Sequence, residues 1–462
     1  MSNRISPWAW IPTLYFAEGI PYFIVNVISV TMFKRLGMPN GELALYTSLL
    51  YLPWVIKPVW SPVVDILKTK RWWILATQIL MTAGFAALAL SVSPTVFGWS
   101  LVIFYILALA SATHDIAADG FYLLALDEKR QSVFVGIRST FYRLSSVFGQ
   151  GVVVVVAGLL ETRLGNIPAA WRITLLGCSL IFLILSLWHF RFLPHAEHPV
   201  KKNNPERTAE SNGDAPEATF APMNRSAEGN DGDAPETTYA PMKRSEGAFS
   251  GMTEGFWKNF ANVWVTFFRK PGVWTAILFM LMYRLPEAFS VKMLSPFLLD
   301  PVEDGGLGLS TAQSGLVYGT VGVIALTLGG ILGGLYGAKF GLKRSMAPMA
   351  AALALPCAVY LYLAAAQPSA LWTVYACVAF DQLGYGFGFT AYMLYMMHFS
   401  EGEFKTSHYA ICTAFMALSM MLPGLVSGYL EEALGYVGFF TMVMICCIAT
   451  FFAVLLARRR LS

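Results

Sequence analysis

The stretch SATHDIAADG, residues 111–120, places two aspartates inside an apolar run that extends from about residue 99 to residue 125. A run of this length lets a helix cross the roughly 30 Å of hydrocarbon in a bilayer. The spacing of four residues puts Asp115 and Asp119 on one face of that helix, one turn apart. Because ionisable side chains are costly inside a spanning helix, the stretch predicts a membrane protein with a functional site at these carboxylates.

The composition excludes a soluble globular protein. Of the 462 residues, 56% are hydrophobic and 13% are charged, whereas soluble domains carry about 25% charged residues. The net charge is only +4 and the basic residues stand in short clusters between apolar runs, so they report topology rather than nucleic-acid binding. The six cysteines lie in apolar stretches without C-x-x-C spacing, which favours neither disulfides nor a metal site. We expect no metal and no other cofactor.

Twelve apolar runs are long enough to cross a membrane at about 20 residues each. They form two groups of six, which predicts an all-α membrane protein with an N-terminal half at 1–193 and a C-terminal half at 273–462. The first to sixth spans fall near 8–33, 42–66, 72–93, 99–125, 133–160 and 170–193, and the seventh to twelfth near 273–298, 311–337, 346–366, 370–398, 407–430 and 435–457. This numbering of the spans is kept below.

The gap between the halves divides into two segments. Residues 194–254 are rich in Pro, Gly, Ser and acidic residues without apolar periodicity, so we expect a disordered cytoplasmic linker. Inside it, 212–226 and 231–245 match at eleven of fifteen positions, which favours a tandem duplication over a docking motif. In 255–272, aromatic residues recur at helical spacing beside basic ones, a pattern typical of an amphipathic helix in the membrane interface.

The distribution of Lys and Arg in the short loops predicts both termini on the cytoplasmic side, where positive charge is retained. The positions predicted as cytoplasmic are Arg4, Lys68, Lys70, Arg71, Lys129, Arg130, Lys339, Lys343, Arg344, Lys405, Arg458, Arg459 and Arg460. The opposite side carries Lys34, Arg35, Arg163 and Arg172, together with the acidic Asp300, Glu303, Asp304, Glu431 and Glu432.

Two halves joined by a long linker are typical of the major facilitator architecture, in which the halves enclose a central site. The loop after the eighth span reads GLYGAKFGLKR, residues 334–344. It resembles that superfamily's G-x-x-x-D-R-x-G-R-R signature, although Ala338 replaces the acid. The equivalent loop of the first half keeps an acid, Asp65, and two basic residues. The resemblance implies a major facilitator superfamily fold with Asp65, Lys343 and Arg344 in a cytoplasmic gate.

The carboxylates of the fourth span need partners, and the short turn to the fifth span supplies two candidates. Antiparallel neighbours pair at mirror positions, so Asp119 with Arg138 and Asp115 with Arg143 fit one register. One interpretation is two structural ion pairs, which add little net stability. The other is a carboxylate that takes a proton, or an arginine that binds a substrate carboxylate. Asp115 is the stronger candidate for function, and Asp119 the stronger candidate for a structural anchor.

The first span carries a polar stripe that must face a cavity rather than lipid. Its members recur every three to four residues: Tyr15, Glu18, Tyr22, Asn26 and Ser29. Glu18 is its ionisable centre. One interpretation is a structural carboxyl group hydrogen-bonded across the bundle, and the other is a role in proton transfer or substrate binding. Lys57 in the second span also has two interpretations: its side chain snorkels toward the membrane surface, or it has a role in function.

The second half repeats this pattern of buried polar groups. Arg284 and Glu287 in the seventh span lie three residues apart and are expected to pair on the helix. In the tenth span, Asp381 and Gln382 precede glycines at 384, 386 and 388. Glycines at this spacing favour close helix packing or a hinge over substrate contact.

Beyond the superfamily, the sequence resembles the anhydromuropeptide permease and acetyl-CoA transporter family. The blocks that carry the resemblance are Trp60-Ser61-Pro62 with Asp65, then 76–78, 115–119, 283–289, 380–388, and Pro423-Gly424 with Gly428. The resemblance implies proton-coupled import of N-acetylglucosaminyl-anhydromuramyl peptide by alternating access, for peptidoglycan recycling at the bacterial inner membrane. It also implies a monomer in the bilayer whose partners are a small-molecule substrate and protons, without nucleic acid.

Under this resemblance two groups of residues receive roles. The candidates for proton coupling are the carboxylates Asp115, Glu18, Glu287, Asp381 and Asp119. The candidates for substrate binding combine cations suited to peptide carboxylates with groups suited to sugar rings: Arg138, Arg143, Arg284, Lys57, Tyr15, Tyr22, Asn26, Tyr283, Gln382 and Tyr392.

Three alternative functions stay open. A carrier of acetyl-CoA or another organic anion would need a more cationic cavity, and DIAADG at 115–120 is at least as similar to that branch. An intramembrane aspartyl protease is disfavoured because no G-x-G-D motif is present, so we expect that the protein is not an enzyme. A receptor that binds without transporting would need an output domain, which the sequence does not suggest.

Overall fold

The computed structural model describes residues 5–195 and 260–461, apart from 94, 127 and 403. The linker predicted at 194–254 lies outside these residues except for its first two positions, and its duplication lies outside them completely. The described residues up to 195 and from 262 onward belong to one compact unit. Within the described ranges every regular element is helical.

The helices follow the predicted spans closely. Those of the first half are Ile11–Phe23, Ser29–Arg35, Asn40–Leu49, Leu52–Ile66, Lys70–Ser91, Gly98–Ala125, Glu128–Ser146, Val154–Leu164 and Ile167–Phe192. Those of the second half are Val273–Met282, Leu285–Leu299, Thr311–Ser314, Val323–Ala354, Ala358–Ala366, Leu371–Phe399 and Lys405–Arg460. π-helical segments continue the first, fifth and eighth spans at Ile24–Ile28, Val147–Val153 and Gly315–Gly322.

Glycines interrupt two of the longest helices. Gly341 has φ 74° between the eighth and ninth spans, and Gly435 has φ 66° between the eleventh and twelfth. This left-handed region is open to glycine without the strain that a Cβ would cause. Each long helix is therefore kinked between two predicted spans.

By length and apolar composition, seven helices among the described residues could cross a membrane. An eighth is added if Phe260–Phe268 and Val273–Leu299, which meet at 88°, form one broken span. Dividing the two kinked helices at their glycines raises this number further. The count of twelve stays a prediction.

The amphipathic helix predicted at 255–272 is helical in its described part, Phe260–Phe268. Its axis turns sharply away from the seventh span, as the angle of 88° indicates. Phe267 is fully buried and packs edge-on against Phe399, with ring centroids 5.6 Å apart. One side of this helix is thus fixed to the second half, and its place in the membrane interface stays a prediction.

Both halves have apolar cores and a strongly apolar exterior. Phe85 and Phe104 are fully buried in the first half, as is Phe279 in the second. In contrast, Leu187 and Ile448 remain 62% and 69% exposed. Large apolar side chains on the outside are unfavourable in water, so this surface suits contact with lipid.

Two π-helical segments from different halves touch, namely Val147–Val153 and Gly315–Gly322. A Cβ on Gly319 would overlap the carbonyl of Gln150, and one on Gly151 would lie 2.9 Å from Oγ1 of Thr320. Glycine therefore lets the two backbones approach each other here. The fifth and eighth spans hold the halves together at this point.

Candidate functional site

The ion pair predicted between Asp119 and Arg138 is confirmed. Nη2 of Arg138 lies 2.6 Å from Oδ1 of Asp119, and the Tyr15 hydroxyl donates a 3.3 Å hydrogen bond to the same oxygen. The guanidinium also lies over the rings of Tyr15 and Tyr122, 4.4 and 5.1 Å from their centroids. The Asp119 side chain is 46% exposed. The cluster therefore leaves the carboxylate of Asp119 and part of the Arg138 side chain accessible to a ligand, whereas Tyr15 and Tyr122 are buried.

The predicted pairing of Asp115 with Arg143 is wrong. Oδ2 of Asp115 accepts a 3.0 Å hydrogen bond from Nε1 of Trp54 and lies 3.6 Å from Nζ of Lys57. Both partners come from the second span, whereas the Arg143 side chain is exposed. The arginine faces the second half, since a Cβ on Gly330 would lie 3.4 Å from Nη2 of Arg143.

Helix geometry explains this correction. In the register fixed by Asp119 and Arg138, the residue opposite Asp115 is Tyr142, and Arg143 lies one residue further along. One residue turns the side chain by about 100° around an α-helix. Tyr142 accordingly packs on Phe23 of the first span, with ring centroids 5.9 Å apart. The two predicted pairs thus needed registers that differ by one residue.

The polar stripe of the first span faces the protein interior rather than lipid, and Asn26 lines a cavity. That the whole stripe faces a cavity stays a prediction. Tyr15, Glu18, Asn26 and Ser29 are all at least nine-tenths buried. Nδ2 of Asn26 donates a 3.0 Å hydrogen bond to the backbone carbonyl of Tyr22. Oε2 of Glu18 and Oδ1 of Asn26 are buried without a hydrogen-bond partner among the described residues. These two oxygens are available to a ligand, water or a proton.

In the second half, the predicted pair of Arg284 and Glu287 is confirmed. Nε and Nη2 of Arg284 lie 3.0 and 3.3 Å from the two carboxylate oxygens of Glu287. Nη2 of Arg284 also donates a 2.8 Å hydrogen bond to the Tyr385 hydroxyl, and the guanidinium lies 4.8 Å from the ring centroid of Phe389. The charge of Arg284 is therefore enclosed by a carboxylate and two aromatic rings. Glu287 was among the predicted site residues, whereas Tyr385 and Phe389 were not.

Two predicted substrate-binding tyrosines have their hydroxyls engaged in helix packing. Tyr283 donates a 2.8 Å hydrogen bond to the carbonyl of Gly388, and Tyr392 donates one of 2.8 Å to the carbonyl of Met280. Both side chains are fully buried. The structure does not bring them to an open surface, and their role in binding stays a prediction.

Asp381 is buried and satisfied by its neighbours. Its Oδ2 accepts hydrogen bonds from the Tyr360 hydroxyl at 2.7 Å and from Nε2 of Gln382 at 3.0 Å. The glycines that follow serve close packing, because a Cβ on Gly386 would overlap the carbonyl of Leu326 and one on Gly388 the carbonyl of Met349. This confirms the packing interpretation of the glycine run.

The predicted gate residues lie at the end of the bundle opposite Lys34. Lys343 and Arg344 are exposed. The side chain of Asp65 lies outside the described ones, so its contact with the basic residues stays a prediction.

At the Lys34 end, a polar cluster that the sequence did not identify joins the two halves. Nζ of Lys34 lies 2.5 Å from Oδ1 of Asp300 and donates a 2.7 Å hydrogen bond to Oδ1 of Asn40. Nδ2 of Asn40 donates to Oε2 of Glu431 at 2.7 Å, and the Tyr436 hydroxyl donates to Oδ2 of Asp300 at 2.6 Å. We call these five residues the Lys34 network.

A second link at the same end centres on Glu161. Its Oε2 accepts hydrogen bonds from Nε of Arg35 at 3.1 Å and from the Thr311 hydroxyl of the second half at 2.6 Å. Its Oε1 accepts from Nε1 of Trp171 at 2.9 Å. Among the described residues, the hydrogen bonds and ion pairs identified between the halves all lie at the Lys34 end.

One signal in the sequence pointed to these links. The loops on one side of the predicted membrane carry Lys34 and Arg35 in the first half and Asp300 and Glu431 in the second. Opposite charges at one level of two facing halves suggest contact between them. No comparable pattern identifies Tyr385 or Trp54, whose partners lie on distant spans.

Comparison with known proteins places this geometry in context. A match to the family described as Major Facilitator Superfamily extends over residues 13–404. The chain is 23% identical to the anhydromuropeptide permease of Escherichia coli strain K12, over 97% of its own length and 79% of that protein. It is 20% identical to the putative transporter AmpG 4 of Rickettsia conorii, over 94% and 92% of the two chains.

Solved structures share the fold. A bacterial homologue of the human lysosomal transporter Spinster, in an inward-facing and unoccupied conformation, superposes with a TM-score of 0.66 at 14% identity. The similarity covers 99% of this chain and 97% of that one. The relatives and the fold are those of membrane transporters.

Proposed function

Because the chain belongs to the Major Facilitator Superfamily, we propose that this multi-pass membrane transporter imports an anhydromuropeptide across the bacterial inner membrane, driven by protons. The substrate would be N-acetylglucosaminyl-anhydromuramyl peptide. The observation that carries the proposal is the similarity to an anhydromuropeptide permease over 97% of the chain. The blocks of sequence noted at 115–119, 283–289 and 380–388 support it.

The chemistry of the first half suits such a ligand. The guanidinium of Arg138 can form charge-assisted hydrogen bonds with a peptide carboxylate. The buried rings of Tyr15 and Tyr122 hold this guanidinium in place by cation–π contacts. Asp119 is 46% exposed and its partner Arg138 28%, so a ligand can reach both. Arg138 would exchange Asp119 for the substrate's carboxylate.

Asp115 and Glu18 are the proposed sites of proton coupling. Asp115 has Lys57 within 3.6 Å, so protonation of the carboxylate would release the lysine. Glu18 has a buried oxygen without a partner among the described residues, which a proton would satisfy. Ionisable groups of this kind within spanning helices are typical of proton relays.

Transport would proceed by alternating access in a monomer, with both termini in the cytoplasm. In this orientation the Lys34 network closes the periplasmic end, and the residues around Asp65, Lys343 and Arg344 gate the cytoplasmic end. The concentration of inter-half polar contacts at the Lys34 end supports an inward-facing arrangement. Rocking of the halves would break these contacts on outward opening.

Uptake into proteoliposomes tests the proposal. Purified full-length protein is reconstituted, and labelled anhydromuropeptide and labelled acetyl-CoA are offered separately, each with and without an inward proton gradient. We expect accumulation of the muropeptide only with the gradient. Accumulation of acetyl-CoA instead, or uptake indifferent to the gradient, would reject the proposed substrate or the proposed coupling respectively.

A pair of variants tests the site itself. Arg138→Gln should reduce muropeptide uptake at least tenfold, because a neutral amide cannot replace the charge at the carboxylate. Arg163→Gln is the matched control, since Arg163 is exposed and lies outside the proposed site. Equal uptake by the two variants would argue against Arg138 as a ligand.

A further inference from the structure

Lys292 in the seventh span carries a buried amino group that has no hydrogen-bond partner in the described part of the chain. The residue is 8% exposed. The group lies over the ring of Tyr51, with 5.9 Å between Nζ and the ring centroid. A cation–π contact at that distance compensates only part of the desolvation of a lysine. Buried charges in proteins are normally paired, so this one needs an explanation.

The ammonium lies beside a cavity between the two halves. The cavity measures about 30 Å³ and is lined by Asn26 and Tyr51 of the first half and by Lys292, Ser295 and Tyr318 of the second. Such a volume accommodates about two water molecules or one small polar group. It is too small for a whole sugar or nucleotide.

The cavity is closed on the side of the Lys34 network. The Thr31 and Ser295 hydroxyls are hydrogen-bonded across the halves at 2.9 Å, and Ser295 also lines the cavity. The ion pair of Lys34 and Asp300 lies beyond, further along the same two spans. The cavity thus lies between the halves, next to the contacts that join them at the Lys34 end.

A second unpartnered group lines the same cavity. Asn26 is 4% exposed and uses its amide nitrogen on the backbone of Tyr22, while its Oδ1 is buried without a partner among the described residues. An ammonium and an amide oxygen together complement an anionic oxygen next to an N–H or O–H donor. A terminal amino acid with its carboxylate and amide N–H has this chemistry, and so does a phosphate beside a hydroxyl.

We propose that Lys292 and Asn26 form a subsite that binds an oxyanion group, a carboxylate or a phosphate, at one end of the transported solute. This inference rests on the proposed function as a transporter of a bulky anion, and it assigns the anchoring charge to the closed end of the cavity. Arg138 and Lys292 would then hold different parts of the solute, one on each half. Contact with both halves is what couples a bound solute to their closure.

A binding experiment with charged and neutral probes tests the subsite. The probes are N-acetylglucosaminyl-anhydromuramyl tripeptide and its form with amidated carboxylates, and acetyl-CoA and the phosphate-free S-acetylpantetheine. Affinities are measured by calorimetry for the full-length protein in nanodiscs, for Lys292→Met and for the control Lys405→Met, whose lysine is exposed. In one of the two pairs we expect at least tenfold tighter binding of the charged probe. That ratio should fall severalfold in Lys292→Met, where Arg138 alone still recognises an anionic group, and stay unchanged in Lys405→Met.

The thermal unfolding midpoint without ligand gives a second readout. Lys292→Met removes a buried amino group whose Nζ lacks a hydrogen-bond partner among the described residues, so the midpoint should stay equal or rise, whereas a lysine with a structural role would lower it. The subsite is overturned if neither charged probe is preferred by the wild type, or if the preference is undiminished in Lys292→Met. A different result would reject the proposed substrate and keep the subsite. In that case the muropeptide is neither bound nor transported, and Lys292→Met weakens the preference for acetyl-CoA over S-acetylpantetheine.

Discussion

Nζ of Lys34 lies 2.5 Å from Oδ1 of Asp300, joining the first span to the end of the seventh across the boundary between the halves. Both side chains are largely buried, with 16% and 11% exposure. Removal of one partner from a buried pair leaves an uncompensated charge and costs on the order of 3–5 kcal/mol. The pair therefore stabilises the closed state of this end, and its loss should shift the protein toward opening there.

We predict that Asp300→Asn opens the Lys34 end. A cysteine introduced as Thr31→Cys should then react at least tenfold faster with a membrane-impermeant maleimide, because Thr31 lies directly behind the pair. The measurement is the labelling rate from the Lys34 side of the membrane. Asp304→Asn in the same Thr31→Cys background is the control, since Asp304 is exposed. Equal labelling rates for the Asp300→Asn and Asp304→Asn variants would contradict a role of Asp300 in closing this end.

Crosslinking across the halves should stop transport. The Thr31 and Ser295 oxygens are 2.9 Å apart, so cysteines at both positions are expected to form a disulfide on mild oxidation. Uptake should fall to background in the oxidised double variant and return after reduction, because the proposed alternating access requires the Lys34 end to open in each cycle. The single Thr31→Cys variant controls for oxidation elsewhere. Undiminished uptake by the crosslinked protein would exclude alternating opening at this end.

Asp115→Asn is expected to abolish gradient-driven uptake while leaving protein levels normal. The amide oxygen can still accept the hydrogen bond from Trp54, whereas the exchangeable proton and the charge opposite Lys57 are lost. Lys57 is 29% exposed, so losing its partner should cost no more than about 1 kcal/mol of stability. Uptake and expression are compared with Asp304→Asn. Near-wild-type uptake would remove Asp115 from the coupling mechanism.

The two arginine–carboxylate pairs should differ in their effect on stability. Arg284→Met leaves the buried Glu287 alone and should destabilise the protein by about 3–5 kcal/mol. Arg138→Met breaks a pair with 28% and 46% exposure and should cost about 1 kcal/mol or less. Thermal unfolding midpoints in detergent measure both. The double variant Arg284→Met with Glu287→Met should recover much of the loss, and no recovery would indicate a role for Arg284 beyond pairing.

The contacts that could be predicted are those within a helix or across a short turn. Arg284 and Glu287 follow from a spacing of three, and Asp119 and Arg138 from the turn between two antiparallel spans. The partners of Asp115 could not be found in this way, because Trp54 and Lys57 lie on a span some 60 residues earlier, as their hydrogen bond and ion pair record. Which spans become neighbours depends on packing of the whole bundle, which spacing along one chain does not determine.

Other features leave little trace in the sequence. The π-helical segments at Val147–Val153 and Gly315–Gly322 have no pattern that separates them from an ordinary apolar helix. The closed end of the cavity was also missed, since Lys292 and Asn26 meet the same space only after the halves associate. The opposite charges of Lys34 and Asp300 did carry a signal, which required comparing loops of the two halves on one side of the membrane.

Under the proposed alternating access, the glycine contact between the fifth and eighth spans would be the pivot about which the halves rotate. From Gly151 the fifth span continues for about 13 residues toward the Lys34 end and about 23 toward Glu128, arms of roughly 20 and 35 Å at 1.5 Å per residue. A tilt of about 10° would then move the near end by roughly 3 Å and the far end by roughly 6 Å. A movement that breaks the hydrogen bonds at the end of the short arm would therefore accompany a displacement nearly twice as large at the end of the long arm.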